Sequence, residues 1–279
     1  MPITPSIKRD YLSKLAENGK REDGRKFDEF RKIEIETGIV DKAEGSAKVK
    51  IGNTQVIAGI KMDIGEPYPD TPDEGAMSTA AELIPLASPD FESGPPRADA
   101  IELARVVDRG IRESGLIEVK KLCIESGEKV WIIFIDIHIL DYDGNLFDAA
   151  SLASLAALMT TNIPIDRAKA TLERLKDKFP SIGQYLNDHP EDYKLPLTDP
   201  PVSCTSVKYN GVVVMDPSLD EEEIAEARLT VATDKNGDIR AMQKGLNGSF
   251  STDEIKKVIK ASIDNGKKIQ EQLYKSVGK

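Results

Sequence analysis

The sequence predicts an α+β protein built from two α+β units. Two observations point there. Strand-like and helix-like segments come in two blocks rather than in regular alternation, and a charged stretch at residues 166–200 separates them. No short-period repeat suggests a solenoid. The expected organisation is an N-terminal helix and arm at 1–24, a core domain at 25–165, a charged connector at 166–200 and a C-terminal domain at 201–279.

Each element follows from local pattern. Residues 5–18 place Ile7, Tyr11, Leu12 and Leu15 at helical spacing, and Arg21-Glu22-Asp23-Gly24-Arg25 breaks the pattern. Ile33 and Ile35 alternate with Glu34 and Glu36, as in a half-buried strand. Ala47, Val49 and Ile51, then Gly52-Asn53, then residues 56–60 read as a hairpin. Pro-rich stretches at 65–75 and 85–97 flank an alternating segment at 79–86, and stiff loops of that length serve binding or interfaces, or are plain surface excursions. Residues 100–114 form an amphipathic helix ended by Gly115, with Ile101, Ala104, Val107 and Ile111 as its apolar stripe. Residues 130–140 are apolar almost throughout and predict a central strand. Asp141-Tyr142-Asp143-Gly144-Asn145 turns the chain into a helix of small residues at 149–159. One further helix is expected within 166–194, before the prolines at 196–201. Beyond them, 206–215 and 227–233 predict strands, and 239–243 pairs back across Lys235-Asn236-Gly237-Asp238. Ser251 with Glu254 makes a capping box that opens a long helix, with Ile255, Val258, Ile259, Ile263, Ile269 and Leu273 turned inward.

Composition narrows the function classes. Hydrophobic residues make up 39% and charged residues 31%, the balance of a globular chain with a charged surface. No apolar run reaches bilayer length, and the first ten residues lack a signal-peptide core, so the expectation is a cytoplasmic protein without membrane contact. Cys123, Cys204, His138 and His189 are the only cysteines and histidines, and their spacing forms no zinc site. A net charge of −10 argues against a general nucleic-acid coat; any such contact must be a local basic patch, or the basic surface belongs to a partner. No GxGxxG opens a helix after a strand and no Walker A occurs, so no cofactor is expected.

Three constellations could carry chemistry. Arg105, Arg109 and Arg112 fall at i, i+4 and i+7 on one helical face, fit to grip successive phosphates or to pair with Glu102, Asp108 and Glu113. Asp216, Asp220, Glu221, Glu222 and Glu223 follow a strand; they could hold magnesium, or be an acidic first turn favoured by the helix dipole. Asp136 and His138 share a strand face, as a dyad or as a hydrogen-bonded pair.

Taken together these segments resemble the RNase PH family over nearly the whole chain. The resemblance is carried by Arg21-Glu22-Asp23-Gly24-Arg25, by Glu44-Gly45-Ser46-Ala47 with Gly52-Asn53-Thr54, and by Glu102-Leu103-Ala104-Arg105-Val106-Val107-Asp108-Arg109. It continues in Leu140-Asp141-Tyr142-Asp143-Gly144 before Ala149-Ala150-Ser151-Leu152-Ala153. It implies the RNase PH fold (ribosomal protein S5 domain 2-like), with mixed sheets packed against helices. It also implies a phosphate-dependent attack on the 3′ end of RNA. Active members carry a Ser/Thr–Arg pair for that phosphate, where this sequence has Leu146 and Phe147. Of their two aspartates, aligned through Asp216, the first falls on Glu222 and the second on Arg228. Each such loss costs at least about 10²–10⁴-fold in rate, which implies an inactive paralogue. The Glu66-Pro67-Tyr68-Pro69-Asp70-Thr71-Pro72 loop resembles that of the inactive ring subunits of archaeal exosomes. That likeness implies an active paralogue as heterodimer partner in a trimer of dimers, RNA-binding cap subunits, and single-stranded RNA as ligand. It makes Arg105 and Arg109 the candidate RNA contacts, with Arg97 and Arg112 behind them. The alternative is an active phosphorolytic exoribonuclease with an atypical acidic site around Glu222.

Overall fold

A computed structural model describes residues 6–278. In chain order the first half comprises α1 (Ser6–Glu17), β1 (Ile33–Thr37), β2 (Gly45–Ile51), β3 (Thr54–Gly65), β4 (Ala76–Leu83), α2 (Ala98–Arg112), β5 (Cys123–Glu125), β6 (Lys129–Asp141) and α3 (Leu146–Thr160). The second half comprises β7 (Asn162–Ile163), α4 (Ile165–Leu175), α5 (Ser181–Asp188), β8 (Tyr193–Lys194), β9 (Val202–Tyr209), β10 (Val212–Met215), α6 (Leu219–Glu223), β11 (Ala227–Thr233), β12 (Ile239–Gly245) and α7 (Thr252–Ser276). Pro5 and the side chain of Ile7, read from the sequence as part of the first helix, lie outside the described residues.

The α+β expectation holds. The first sheet runs β1-β2-β3-β6-β4 with β5 also on β6, antiparallel except for the β4–β6 pair; the second runs β10-β9-β11-β12, antiparallel throughout. Helices α2, α3 and α7 each touch strands of both sheets and so form a middle layer. The composition of α3 explains its place there. Fourteen of its fifteen residues are buried, and small side chains such as Ala149, Ala150, Ala153, Ala156 and Ala157 let both sheets approach its backbone. One core therefore runs from Ile51, Ile60 and Ile135 of the first sheet through Leu155 to Cys204 and Ile269 of the second unit.

Several local expectations change. Ile101 is 48% exposed, and the inward stripe of α2 is Ala100, Leu103, Ala104, Val107, Gly110 and Ile111. The strand expected over 206–215 is the hairpin β9–β10, turned at Asn210 and Gly211, both at positive φ. The connector holds two helices, because Phe179-Pro180 interrupts the pattern after Leu175. The segment placed at 79–86 pairs as β4. His138 faces Glu82 at 3.3 Å across the parallel pair, not Asp136.

Candidate functional site

The turn between β6 and α3 is the point where the two units meet. Gly144 (φ 85°) and Asn145 (φ 55°) take left-handed backbone conformations, and a Cβ on Gly144 would lie 2.5 Å from the Pro217 carbonyl oxygen. Beside the turn, Asp216 is fully buried and collects charge-assisted hydrogen bonds. Arg31 donates from its backbone N (2.8 Å), Nε (2.9 Å) and Nη2 (2.8 Å), Arg25 from Nη1 (2.8 Å), and Asn145 from Nδ2 (2.7 Å). Burial alone would push the Asp216 pKa up, but the guanidiniums win and hold it below the ordinary carboxylate range. Arg31 also donates to the carbonyls of Asp143 (2.6 Å) and Gly144 (3.2 Å), so the arm before β1 grips the turn directly.

The acidic run after β10 is a capped helix. The Ser218 hydroxyl accepts from the Glu221 backbone N–H and the Glu221 carboxylate accepts from the Ser218 N–H. Asp220 pairs with Lys8, and Glu221 with the buried Arg21. Among the described residues no three His, Cys, Asp or Glu side chains stand where they could hold a metal ion. Glu222 is partly buried and turns toward the β6–α3 turn. Its carboxylate accepts from the Tyr142 hydroxyl (2.8 Å) and from the backbone N–H of Asn145 at the entry to α3 (2.9 Å), the position where a helix favours an anion. Burial raises the pKa of Glu222 despite those bonds, and it also raises that of Tyr142.

Next to Glu222 opens a cavity of about 240 Å³ lined by Phe91, Asp99, Glu102, Tyr142, Phe147 and Arg228 with several leucines. Its chemistry is set by a stack. The Arg228 guanidinium lies 3.9 Å from the centre of the Phe147 ring, and its Nη2 donates to the Glu102 carboxylate. Gly245 lies against the same guanidinium: a Cβ there would lie 2.8 Å from Cζ of Arg228. Three carboxylates, Asp99, Glu102 and Glu222, face this single cation. Phe147, Glu222 and Arg228, expected at the sites of phosphate and carboxylate groups, are thus brought together, and the resulting pocket disfavours an anion.

The arginines of α2 differ in their freedom. Arg112 is held bidentately by Asp108 (2.9 and 3.0 Å), donates to the Met77 carbonyl (3.1 Å), and has its pKa raised by that carboxylate. Arg109 donates to Gln243 of β12, and Arg97 pairs with Glu92. Arg105 is exposed, with no hydrogen-bond or ion-pair partner among the described residues. Arg105 and Arg109 flank one depression of about 430 Å³ with Glu102, Ile101 and Gln243, while Arg97 borders a separate hollow under the 85–97 loop. Sequence reading missed Glu102 as the partner of Arg228, Asn145 as a link between Asp148 and Asp216, and Arg31 as the clamp on the turn. The Glu102–Arg228, Asn145–Asp216 and Arg31–Asp143 contacts each cross about seventy residues or more of chain, with no local signal; only Asn145–Asp148 is local.

Comparison with known proteins agrees with this geometry. The profile of the 3′ exoribonuclease family, domain 1, matches residues 29–164, and that of domain 2 matches residues 199–265. The chain is 54% identical over 271 residues to the exosome complex component Rrp42 of Methanocella arvoryzae, covering 97% of each. It is 50% identical over 274 residues to the exosome complex component Rrp42 of Archaeoglobus fulgidus, again covering 97% of each. Among solved structures it superposes on a chain of the Archaeoglobus fulgidus exosome with RNA bound to the active site, with a TM-score of 0.86 and 48% identity, covering 96% of this chain and 98% of that one. With both domain profiles in order on one polypeptide and a relative of this identity along its whole length, the chain belongs to the RNase PH, or 3′ exoribonuclease, family.

Proposed function

We propose that this chain is a non-catalytic subunit of an archaeal-type exosome, which pairs with an active RNase PH-like paralogue and lends arginines to the RNA that the partner degrades. The ring it completes is a trimer of such heterodimers carrying RNA-binding cap subunits, and it works in the cytoplasm. The arm at 1–24, the two domains at 25–165 and 201–279, and the connector at 166–200 are the units we assign to it.

The observation that carries the reading is the cavity beside the β6–α3 turn. A phosphorolytic centre needs cationic donors for orthophosphate and an acid or a metal ion at the leaving oxygen. Here the entry to α3 is occupied by Glu222, Phe147 stands where the phosphate arginine belongs by resemblance, and the cation Arg228 is spent on Glu102. Exosome membership rests on relatives named as exosome components and on a solved exosome with RNA in its active site. The RNA-contact role of Arg105 and Arg109 rests on their exposure in one depression; Arg97 and Arg112, each engaged by a carboxylate, contribute less.

The test is direct. The purified chain with orthophosphate and a 5′-labelled single-stranded RNA is expected to leave the RNA intact, and addition of the active paralogue to yield nucleoside diphosphates. Phosphorolysis by the lone chain, abolished by Glu222→Gln, would replace this reading with an active enzyme built on an atypical acidic site.

A further inference from the structure

The Phe147–Arg228–Glu102 stack does more than mark a lost active site. It joins the second sheet to α2: Arg228 stands on β11, Glu102 on α2, and Phe147 in the first turn of α3. Glu102 precedes Arg105 by three residues and Arg109 by seven, so all three share one helical face. The hydrogen bond from Arg109 to Gln243 ties the next part of that face to β12. Among the described residues, these are the polar links between α2 and the second sheet. The stack is also confined: the guanidinium lies over the Phe147 ring and close against Gly245, where a Cβ would lie 2.8 Å from its Cζ, and its Nε is buried with no acceptor among the described residues. An arginine that leaves a buried donor unpaired to keep one plane is held there by the ring and by Glu102.

We infer that Arg228 and Glu102 are positioning residues, a strut that fixes the register of α2 so that Arg105 and Arg109 meet the RNA backbone at a set spacing. This rests on the proposed RNA-binding role of those arginines. On this account the charge reversal at position 228 takes the carboxylate chemistry from the pocket and supplies the fixture of the helix in the same step. Phe147 is the platform that lets a cation sit there out of water.

The sign of one substitution separates a strut from simple electrostatics. Glu102→Gln removes a negative charge from the face that carries Arg105 and Arg109. Through-space electrostatics alone predicts tighter RNA binding; the strut predicts weaker binding, because the ion pair that ties α2 to Arg228 is reduced to a neutral hydrogen bond. In the ring reassembled with the active paralogue, we expect Glu102→Gln to raise the Kd for single-stranded RNA about tenfold, the factor that 1.4 kcal/mol makes, with kcat at saturating RNA within about twofold. Arg228→Gln should weaken binding to the same degree, Arg228→Lys should restore most of it, and the double variant Glu102→Gln/Arg228→Gln should be no worse than either single one. Glu102 is half-exposed, so its replacement leaves the fold intact even where Arg228 variants fail to assemble. Tighter or unchanged binding by Glu102→Gln, while Arg105→Ala and Arg109→Ala lose affinity, would overturn the strut and leave the RNA-binding role standing. Full affinity in Arg105→Ala and Arg109→Ala would overturn that role, and the positioning function with it.

Discussion

Asp216→Asn is the substitution whose cost the structure specifies most completely. The carboxylate has no solvent exposure, and it is the shared counter-ion of Arg25 and Arg31, whose side chains are each 10% exposed. Asparagine keeps the shape and tolerates the left-handed backbone found here (φ 45°), so conformational strain does not confound the comparison. What changes is charge: two guanidiniums lose the buried anion they share, leaving Arg25 with the more exposed Asp23 and Arg31 with Asp143 at 3.8 Å, and an NH₂ group replaces an acceptor among five donors. Breaking a buried pair from one side costs about 3–5 kcal/mol. At about 2–4 °C per kcal/mol for a chain of this size, the midpoint should fall by about 6–20 °C. Urea unfolding should give the free-energy loss with an unchanged slope. The control is Asp220→Asn, whose partner Lys8 and own side chain are both partly exposed; a loss of at most about 1 kcal/mol is expected there. The pH dependence has a definite sign. The folded pKa of Asp216 is lowered, so its stabilising contribution is complete above the unfolded carboxylate pKa of 3.8 and is lost as pH falls through the folded value. The penalty of Asp216→Asn should therefore shrink in acid. A penalty under about 1 kcal/mol at neutral pH would refute the clamp.

Asp148 titrates the other way. Burial pushes it up to about 7 against the bonds from Asn145 and Thr205, so the folded form keeps its proton while the unfolded chain ionises near 3.8. Stability should fall between about pH 4 and 7, by at most about 1.4 kcal/mol per pH unit, and Asp148→Asn should flatten that slope in thermal melts. Parallel profiles would count against it. Gly144→Ala should cost more than the roughly 1–2 kcal/mol of left-handed backbone strain, since the added Cβ would lie 2.5 Å from the Pro217 carbonyl oxygen and displace the segment leading to Glu222; a loss below 1 kcal/mol in urea unfolding contradicts that packing. Arg105→Ala in the assembled ring should flatten the log–log salt dependence of RNA binding by about 0.7, the value for one single-strand phosphate contact. Arg112→Ala, whose guanidinium is committed to Asp108 and Met77, should leave that slope unchanged. Equal slopes for the two variants, measured by titration at several salt concentrations, would remove the distinction.

What the sequence discloses is what a local pattern can encode. The two sheets, the interior strand β6, the small-residue helix α3 and the Ser251–Glu254 cap were legible because period, composition and cap chemistry act over a few residues. The hairpin at Asn210-Gly211 was missed, because the apolar residues on either side read as one strand and obscured a two-residue turn signal. Ile101 was misplaced because a helical stripe can be drawn one position off when small residues such as Ala100 and Gly110 carry part of the buried face. At the candidate site the family resemblance implies which groups are missing, since Phe147 and Arg228 can be set by residue identity against the groups it expects. It could not show that Arg228 reaches Glu102, 126 residues away, or that Glu222 reaches Asn145, 77 residues away.

On the proposed reading, these contacts make the two departures from the family pattern one change. With Phe147 in place, a guanidinium at position 228 has an aromatic face to cover and Glu102 to pair with. Restoring an arginine at 147 alone would set two guanidiniums against each other where a ring now separates Arg228 from α3. An aspartate at 228 alone would join Asp99, Glu102 and Glu222 as a fourth carboxylate around one small cavity. Like charges that close destabilise one another strongly when shielded from water. Each single reversal is therefore expected to be worse than the present pair, and only the double reversal relieves the conflict. On the proposed non-catalytic reading, a site lost in this coupled way does not return by single steps, and its residues stay free to serve as structure.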